Sequence, residues 1–473
     1  MKIMNVRILF LAVFLISGIF SAQAAQLKLP ALVGNHMVLQ QQSKISLWGW
    51  AKAGSTVAVK AEWIGNTEKT VTEKDGKWKL ELQINEAGGP YQLEISSDTT
   101  YLLTDVMIGE VWVCSGQSNM QMPFRGYTSQ PVVGSNDYIA HGHNNNIRLF
   151  TVKRKLSVTP LDDCEGSWSV SNPEDVGNFS AVAYVFGKYI QEVLNVPVGL
   201  IHTSWGGTPV EAWTDAATLE SGFKEFDLSI LDTPDEANSK TPTVLFNGMI
   251  NPVVNFTIRG AIWYQGEANR KKPEQYAKLF PAMIENWREH WNQPELPLYF
   301  AQIAPFKYDS TVNSAYLREA QLITAQTVAN TGMAVTMDIG ELNCIHPAEK
   351  ILVGKRLAYH ALAKTYGLNG LQYNGPVFRE MKVEGNAASL LFDFAEVGFS
   401  SFGKPLTGFS IAGVDRVFHP ASARIKGKEL VVSSEQVPSP VAVRYCWENF
   451  AVGSLYNTAG LPASSFRTDD WNE

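Results

Sequence analysis

The sequence predicts an α/β protein, a doubly wound parallel sheet flanked on both sides by all-β regions. Two observations carry this. Between about residues 106 and 370, five apolar runs of the kind that form buried strands alternate with four amphipathic stretches of helical length. Before and after that span the helical period is missing, and short segments alternate apolar and polar residues between turn signals.

The first residues, MKIMNVRILFLAVFLISGIFSAQAA, set Lys2 and Arg7 before an apolar run from Ile8 to Phe20 and end on Ala22-Gln23-Ala24. This is the pattern of a secretory signal spanning residues 1–24. Its apolar run of about 13 residues is shorter than the roughly 20 that cross a bilayer, so an exported, periplasmic or secreted protein without stable membrane insertion is expected. The remainder is more than one hydrophobic core usually organises, which predicts two or three domains. Residues 25–105 read as an N-terminal β-sandwich: KISLWGW, STVAVKAEW and KWKLELQI are separated by Lys74-Asp75-Gly76 and followed by Gly88-Gly89-Pro90.

Residues 106–370 read as the main α/β domain. VMIGEVWVCSG, VPVGLIHTSWGG, RGAIWYQGE, LPLYFAQIAP and GMAVTMDIG are its strands; AVAYVFGKYIQEVL, PEQYAKLFPAMIENWREHW, AYLREAQLITAQTV and AEKILVGKRLAYHALAKTYG are its helices. Residues 371–473 read as a β-rich C-terminal region, with ASLLFDF, RIKGKELVV and PVAVRYCW as strands that form their own module or complete the N-terminal one.

Charge and cysteine usage exclude some functions. A net charge of −7 with no basic stripe argues against a nucleic-acid partner. The four cysteines, Cys114, Cys164, Cys344 and Cys446, lack the paired spacing of a zinc site, and Cys114 reads as a buried strand residue. His141-Gly142-His143 brings two imidazoles together without a local acidic third ligand, so it reads as a polar loop; no metal or cofactor is expected. Export leaves disulfide formation open, and Asn178 and Asn255 head glycosylation acceptor triplets in a eukaryotic secretory route.

The chemistry-bearing residues fall where the strands end, which is where such a sheet binds ligands. Gly116-Gln117-Ser118-Asn119-Met120 follows GEVWVC, and a serine at a strand-to-helix turn presents its hydroxyl and its own N–H together. His202-Thr203-Ser204-Trp205-Gly206-Gly207-Thr208 follows VPVGLI; paired glycines let backbone approach a ligand, while His202 reads as structural. Trp263-Tyr264-Gln265-Gly266-Glu267-Ala268-Asn269 offers Gln265 or Asn269 as a neutral donor and Glu267 as an orienting group. Asp338-Ile339-Gly340-Glu341-Leu342-Asn343-Cys344-Ile345-His346 leads into a helix and offers His346 as a base. Gln117, Trp205, Glu211 and Glu267 are candidate sugar contacts, and Trp213 lies near them in sequence. Each of these turns alone has an ordinary structural explanation.

Together, in the order Ser, Gly, Gln/Asn, His, they resemble the SGNH hydrolases. GEVWVCSGQSNM, HTSWGGTPVEAW, IWYQGEAN and IHPAEKILVGKRLA resemble the blocks of the sialate O-acetylesterase family in particular. The resemblance extends to NHMVLQQ, GGPYQLEI, GFSIAG, AVRYCW and GLPASSFRTD, covering nearly the whole mature chain. It implies a serine esterase that removes acetyl groups from sialic acid hydroxyls. Ser118 and His346 then carry over as catalytic residues, and Ser118 N–H, Gly207 and either Gln265 or Asn269 as the oxyanion hole. One departure stands out: Cys344 occupies the position two before the histidine where relatives often carry Asp. Asp338, Glu341 and Asn343 are the candidates for a third group, and the expectation is a dyad in which a carbonyl or amide oxygen orients His346. The alternatives are the same chemistry on acetylated xylan or another glycan, and an inactive secreted glycan-binding protein.

Overall fold

The computed structural model describes residues 26–309 and 311–471; the expected export signal, residues 1–24, lies outside them. Strands β1 (Val38–Gln40), β2 (Ser43–Trp50), β3 (Thr56–Ala61), β4 (Thr67–Val71), β5 (Lys77–Ile84) and β6 (Gly88–Ser96) form the N-terminal region. In β5 every second side chain is buried, the signature of a strand with one wet face. β2 and β5 pair antiparallel as a ribbon, while β3, β4 and β6 make a second layer.

β7 (Thr100–Gly116) joins this region to the central sheet. Its first half pairs with β6, the stretch Met107–Gly109 with β1, and its second half with the strands on either side of it in the centre. Position 105, expected to bound the N-terminal region, therefore lies within an unbroken strand.

Beyond β7 come the short helices α1 (Ser118–Gln121) and α2 (Ser135–Ala140), strands β8 (Asn144–Thr151) and β9 (Trp168–Ser171), helices α3 (Pro173–Asn178) and α4 (Ala181–Leu194), and strand β10 (Val198–Ser204). Then follow α5 (Ala216–Gly222), β11 (Gly260–Tyr264), α6 (Pro273–His290), β12 (Leu298–Ala301), α7 (Ala315–Thr327), β13 (Thr331–Ala334) and α8 (Lys350–His360). The central order is β13-β12-β11-β7-β10-β8-β9, parallel except for the edge strand β9. The fold is thus the doubly wound α/β sheet with all-β flanks that the sequence predicts, with β8 and β9 added.

β7 shows why such a strand reads as continuously apolar. Trp112 and Cys114 face a core built from α4 and α8, whereas Val111 and Val113 face a core shared with α6 and the flanking sheets. The chain winds to one side of β7 through β8 and β10, then to the other through β11, β12 and β13. The reversal leaves a crevice at the carboxyl ends of β7, β10 and β11.

Two antiparallel four-stranded sheets make up most of the C-terminal region. Arg318 of α7 anchors the one that contains Ala442–Tyr445 and Phe466–Arg467: buried, it donates to Ser465 Oγ at 3.0 Å and to the carbonyls of Cys446 and Glu448 at 3.2 and 2.6 Å.

Candidate active site

Gly116 ends β7 because no other residue fits. Its φ is +139°, and a Cβ there would lie 2.2 Å from the Tyr264 carbonyl oxygen of β11. The chain then turns through Gln117 into α1, leaving Ser118 half-buried between the buried Gln117 and Asn119. The Gly206-Gly207 turn after β10 closes over it: a Cβ on Gly206 would meet Ser118 Cβ at 3.2 Å. Gly206 N–H is spent on Gln121 Oε1 at 2.8 Å. Among the described residues, Ser118 N–H and Gly207 N–H donate to no protein group, and Gly207 is exposed with φ +75°.

In the loop after β11, Gln265 and Asn269 differ in what their amides have left to donate. Gln265 commits both amide protons, to Thr208 O at 3.2 Å and Asn269 Oδ1 at 2.6 Å. Asn269 Nδ2 gives one to Glu211 Oε2 at 2.8 Å and keeps the other. Burial raises the Glu211 carboxyl above the usual carboxylate range, with the Asn269 hydrogen bond opposing it.

His346 sits in the loop between β13 and α8, half-buried, with its ring edge-on to Tyr127 at 5.3 Å. Its Nδ1 lies 2.7 Å from Gln130 Oε1. An amide oxygen accepts only, so Nδ1 carries the proton and Nε2 is left with a lone pair. Burial, and then the charge of Lys350, lower its pKa to about 4. Tyr127 also donates to Ser118 O at 3.1 Å, so one short loop steadies both the serine turn and the histidine.

None of the three expected partners reaches the His346 ring. Asp338 is paired bidentately with Arg356 at 2.8 and 2.6 Å; Glu341 accepts from Ala348 N at 2.7 Å; Asn343 is exposed. The Cys344 thiol donates to the His346 carbonyl at 3.2 Å and does not touch the ring nitrogens. Two of the four expected sugar contacts also turn inward. Gln117 is buried and accepts from Ala268 N at 3.3 Å, while buried Glu267 accepts from Asn119 Nδ2 at 2.5 Å, so both hold turns together. Trp205 is half-buried beside the serine turn.

Asn119 is the hub that sequence reasoning missed. Besides Glu267 it donates to Ile345 O at 3.1 Å and accepts from Lys350 Nζ at 2.5 Å, tying the serine turn, the β11 loop and the histidine loop into one unit. Lys350 is fully buried and pulled down to about 7 by that burial; Glu267, buried too, is pushed up. The signal was present in the sequence as a lysine inside an otherwise apolar helix start, four residues beyond His346. Its partner was not. Among the described residues no three His, Cys, Asp or Glu side chains converge as metal ligands, and His141 is an exposed residue bonded to Asp137 O.

A profile of the carbohydrate esterase family described as sialic acid-specific acetylesterase matches residues 108–363, more than half of the chain. The chain belongs to that family. As a sialic acid-specific acetylesterase family member it is a carboxylic ester hydrolase. Its relatives include the sialate O-acetylesterase of Rattus norvegicus, 30% identical over 420 residues and covering 74% of this chain and 76% of the relative. The sialate O-acetylesterase of Homo sapiens is 30% identical over 388 residues, covering 73% and 72%. A crystal structure of a carbohydrate acetylesterase from Xanthomonas citri superposes with a TM-score of 0.86 at 36% identity, covering 94% of this chain and 100% of the other. Within this family fold, the four turns predicted as site segments meet at the carboxyl ends of β7, β10 and β11 and in the loop after β13.

Proposed function

We propose that this chain is an exported sialate O-acetylesterase working through Ser118 and His346. The observation that carries the mechanism is a half-buried serine, whose own N–H is unspent, held in one unit with a histidine whose Nδ1 is held by Gln130 and whose loop is tied to the serine turn through Asn119.

His346 Nε2 takes the Ser118 proton as Oγ attacks the acetyl carbonyl. The oxyanion is met by Ser118 N–H, Gly207 N–H and the remaining Asn269 Nδ2 proton. Collapse returns the proton to the departing sugar oxygen and leaves acetyl on Ser118; water, deprotonated by the same Nε2, then releases acetate. A pKa of about 4 keeps His346 neutral, and so competent as a base, throughout the neutral range. The sialic acid substrate rests on the family and on the named relatives; export rests on the signal pattern in residues 1–24. Among the described residues no helix is long and apolar enough to cross a membrane.

The experiment is acetate release from O-acetylated sialic acid by the wild-type chain and by Ser118→Ala, with acetylated xylo-oligosaccharides in parallel. The substitution removes one hydroxyl at a half-buried turn, so the melting temperature stays put while turnover falls by several orders of magnitude. Near-normal acetate release from folded Ser118→Ala overturns the mechanism, and a preference for the xylo-oligosaccharides overturns the substrate. Export is checked by N-terminal sequencing of the mature protein, expected to begin just after Ala24.

A further inference from the structure

Next to the serine turn lies a cleft of about 260 Å³, just below the usual size of a ligand site. Gln121, Tyr127, His202 and Ser204 are part of its wall, and each belongs to or touches the elements that hold Ser118. Of charged residues the lining holds only Lys153 and Arg154, with no Asp or Glu, in a chain whose net charge is −7.

The two cations are in different situations. Lys153 is paired with Glu165 at 2.6 Å. Arg154 has no hydrogen bond or ion pair among the described residues; its guanidinium stands 5.7 Å from the centroid of the half-buried Trp205 ring. An exposed guanidinium near an indole face and without a protein partner keeps its fork of N–H donors free, and that fork can meet a carboxylate with two parallel bonds. Its charge is also felt by Tyr127 and His202 on the cleft wall. His202 is buried and held at about 4, and its Nε2 lies 2.5 Å from Ser204 Oγ, so it adds no competing charge near neutrality.

We infer that Arg154, beside Trp205, binds the carboxylate of an acidic O-acetylated sugar and so orients its ester toward Ser118. The inference rests on the acetylesterase reading above and adds what that reading lacks, a reason for the site to favour a sugar acid over a neutral sugar. Trp205 then serves as the platform for the arginine. Tyr127 links the two halves of the site, since its hydroxyl holds the Ser118 carbonyl and its ring packs against His346.

The test compares kcat/KM for an O-acetylated sialic acid with that for its methyl ester, which keeps the acetyl group and removes the negative charge. In the wild-type enzyme the free acid is preferred by about 10–100-fold, the range of a charge-assisted hydrogen-bonded pair, with most of the difference in KM. Arg154→Gln brings the ratio close to one, Arg154→Lys retains part of it, and Lys153→Gln keeps most of it because Glu165 already holds that ammonium. A wild-type ratio near one, or a ratio that survives Arg154→Gln in a folded protein, overturns the inference. So does a loss of preference in Lys153→Gln alone. Hydrolysis of 4-nitrophenyl acetate reports separately on the esterase reading: a wild-type enzyme inactive on that ester would sink the serine mechanism whatever the acid-to-methyl-ester ratio.

Discussion

At His346 the proton has one defined place, because the group facing Nδ1 is an amide oxygen that can only accept. A carboxylate there would also stabilise the imidazolium formed during attack; in the serine proteases, replacing it by its amide costs roughly 10⁴-fold. Gln130 supplies orientation without charge, so Gln130→Ala is expected to lower kcat by about 10–100-fold. Gln130→Glu should move the acidic limb of the pH–rate profile upward, since an adjacent negative charge favours the protonated ring. Glu341→Gln and Asp338→Asn should each cost less than about 100-fold in kcat, while His346→Ala approaches Ser118→Ala. Asp338→Asn should instead lose about 3–5 kcal/mol of stability by stranding buried Arg356. Either amide variant matching the His346→Ala loss while folded would identify a carboxylate as the missing partner. The absence of a suitably placed acid was readable in Asn343 and Cys344. The identity of the substitute was not: Gln130 lies 216 positions away in an irregular loop, and only the folded chain brings them together.

Elements were legible where a periodicity was pure and hidden where a buried charge broke it. α4 spans Ala181–Leu194 as its apolar spacing predicts, with Ser180 Oγ capping Ala183 N at 3.1 Å. β8 escaped notice because it opens Asn144-Asn145-Asn146 and contains Arg148, which reads as a loop; in the fold Arg148 is buried and satisfied by Asp105 and the Asn145 carbonyl. The length of β7 was also partly concealed, because its first half has a wet face and its second half has none. Its continuity has a mechanical consequence. Gln40 Oε1 accepts from Val111 N at 2.8 Å, and β1 pairs with Met107–Gly109, so the N-terminal region completes the strand that delivers Ser118. Deleting residues up to 105 should expose Val106, Met107 and Ile108 together with an unpaired edge, giving an aggregating protein. Size-exclusion chromatography and acetate release check this; a truncated chain that stays monomeric and fully active would show the region to be independent.

Across the whole molecule, the cores that carry the sheet also enclose titratable groups, and this sets a pH limit on the fold. Burial lowers His202 to about 4 and His360 to about 3, and burial together with the Lys350 charge lowers His346 to about 4. Unfolded histidines take up protons near pH 6.5. Between about pH 6.5 and 4 the unfolded chain therefore binds protons that the folded chain excludes, so stability falls as pH falls through that window. Each tenfold loss of proton affinity on folding corresponds to roughly 1.4 kcal/mol, and His360 and His202 are both buried, so the combined effect is large against a typical folding free energy of about 5–15 kcal/mol. Burial opposes ionisation of Asp215, yet hydrogen bonds from His290 and Thr218 hold it at about 2, so it acts in the same direction at lower pH. Urea midpoints should decline steadily from pH 7 to pH 4.5 at constant m-value. His360→Gln should flatten that decline, because it removes one excluded proton while leaving an amide able to reach the Met333 carbonyl that His360 Nε2 now meets at 3.0 Å. A midpoint that does not move between pH 7 and 4.5 would mean that the buried rings accept protons without opening the fold, and the lowered pKa values could not then be the source of acid sensitivity.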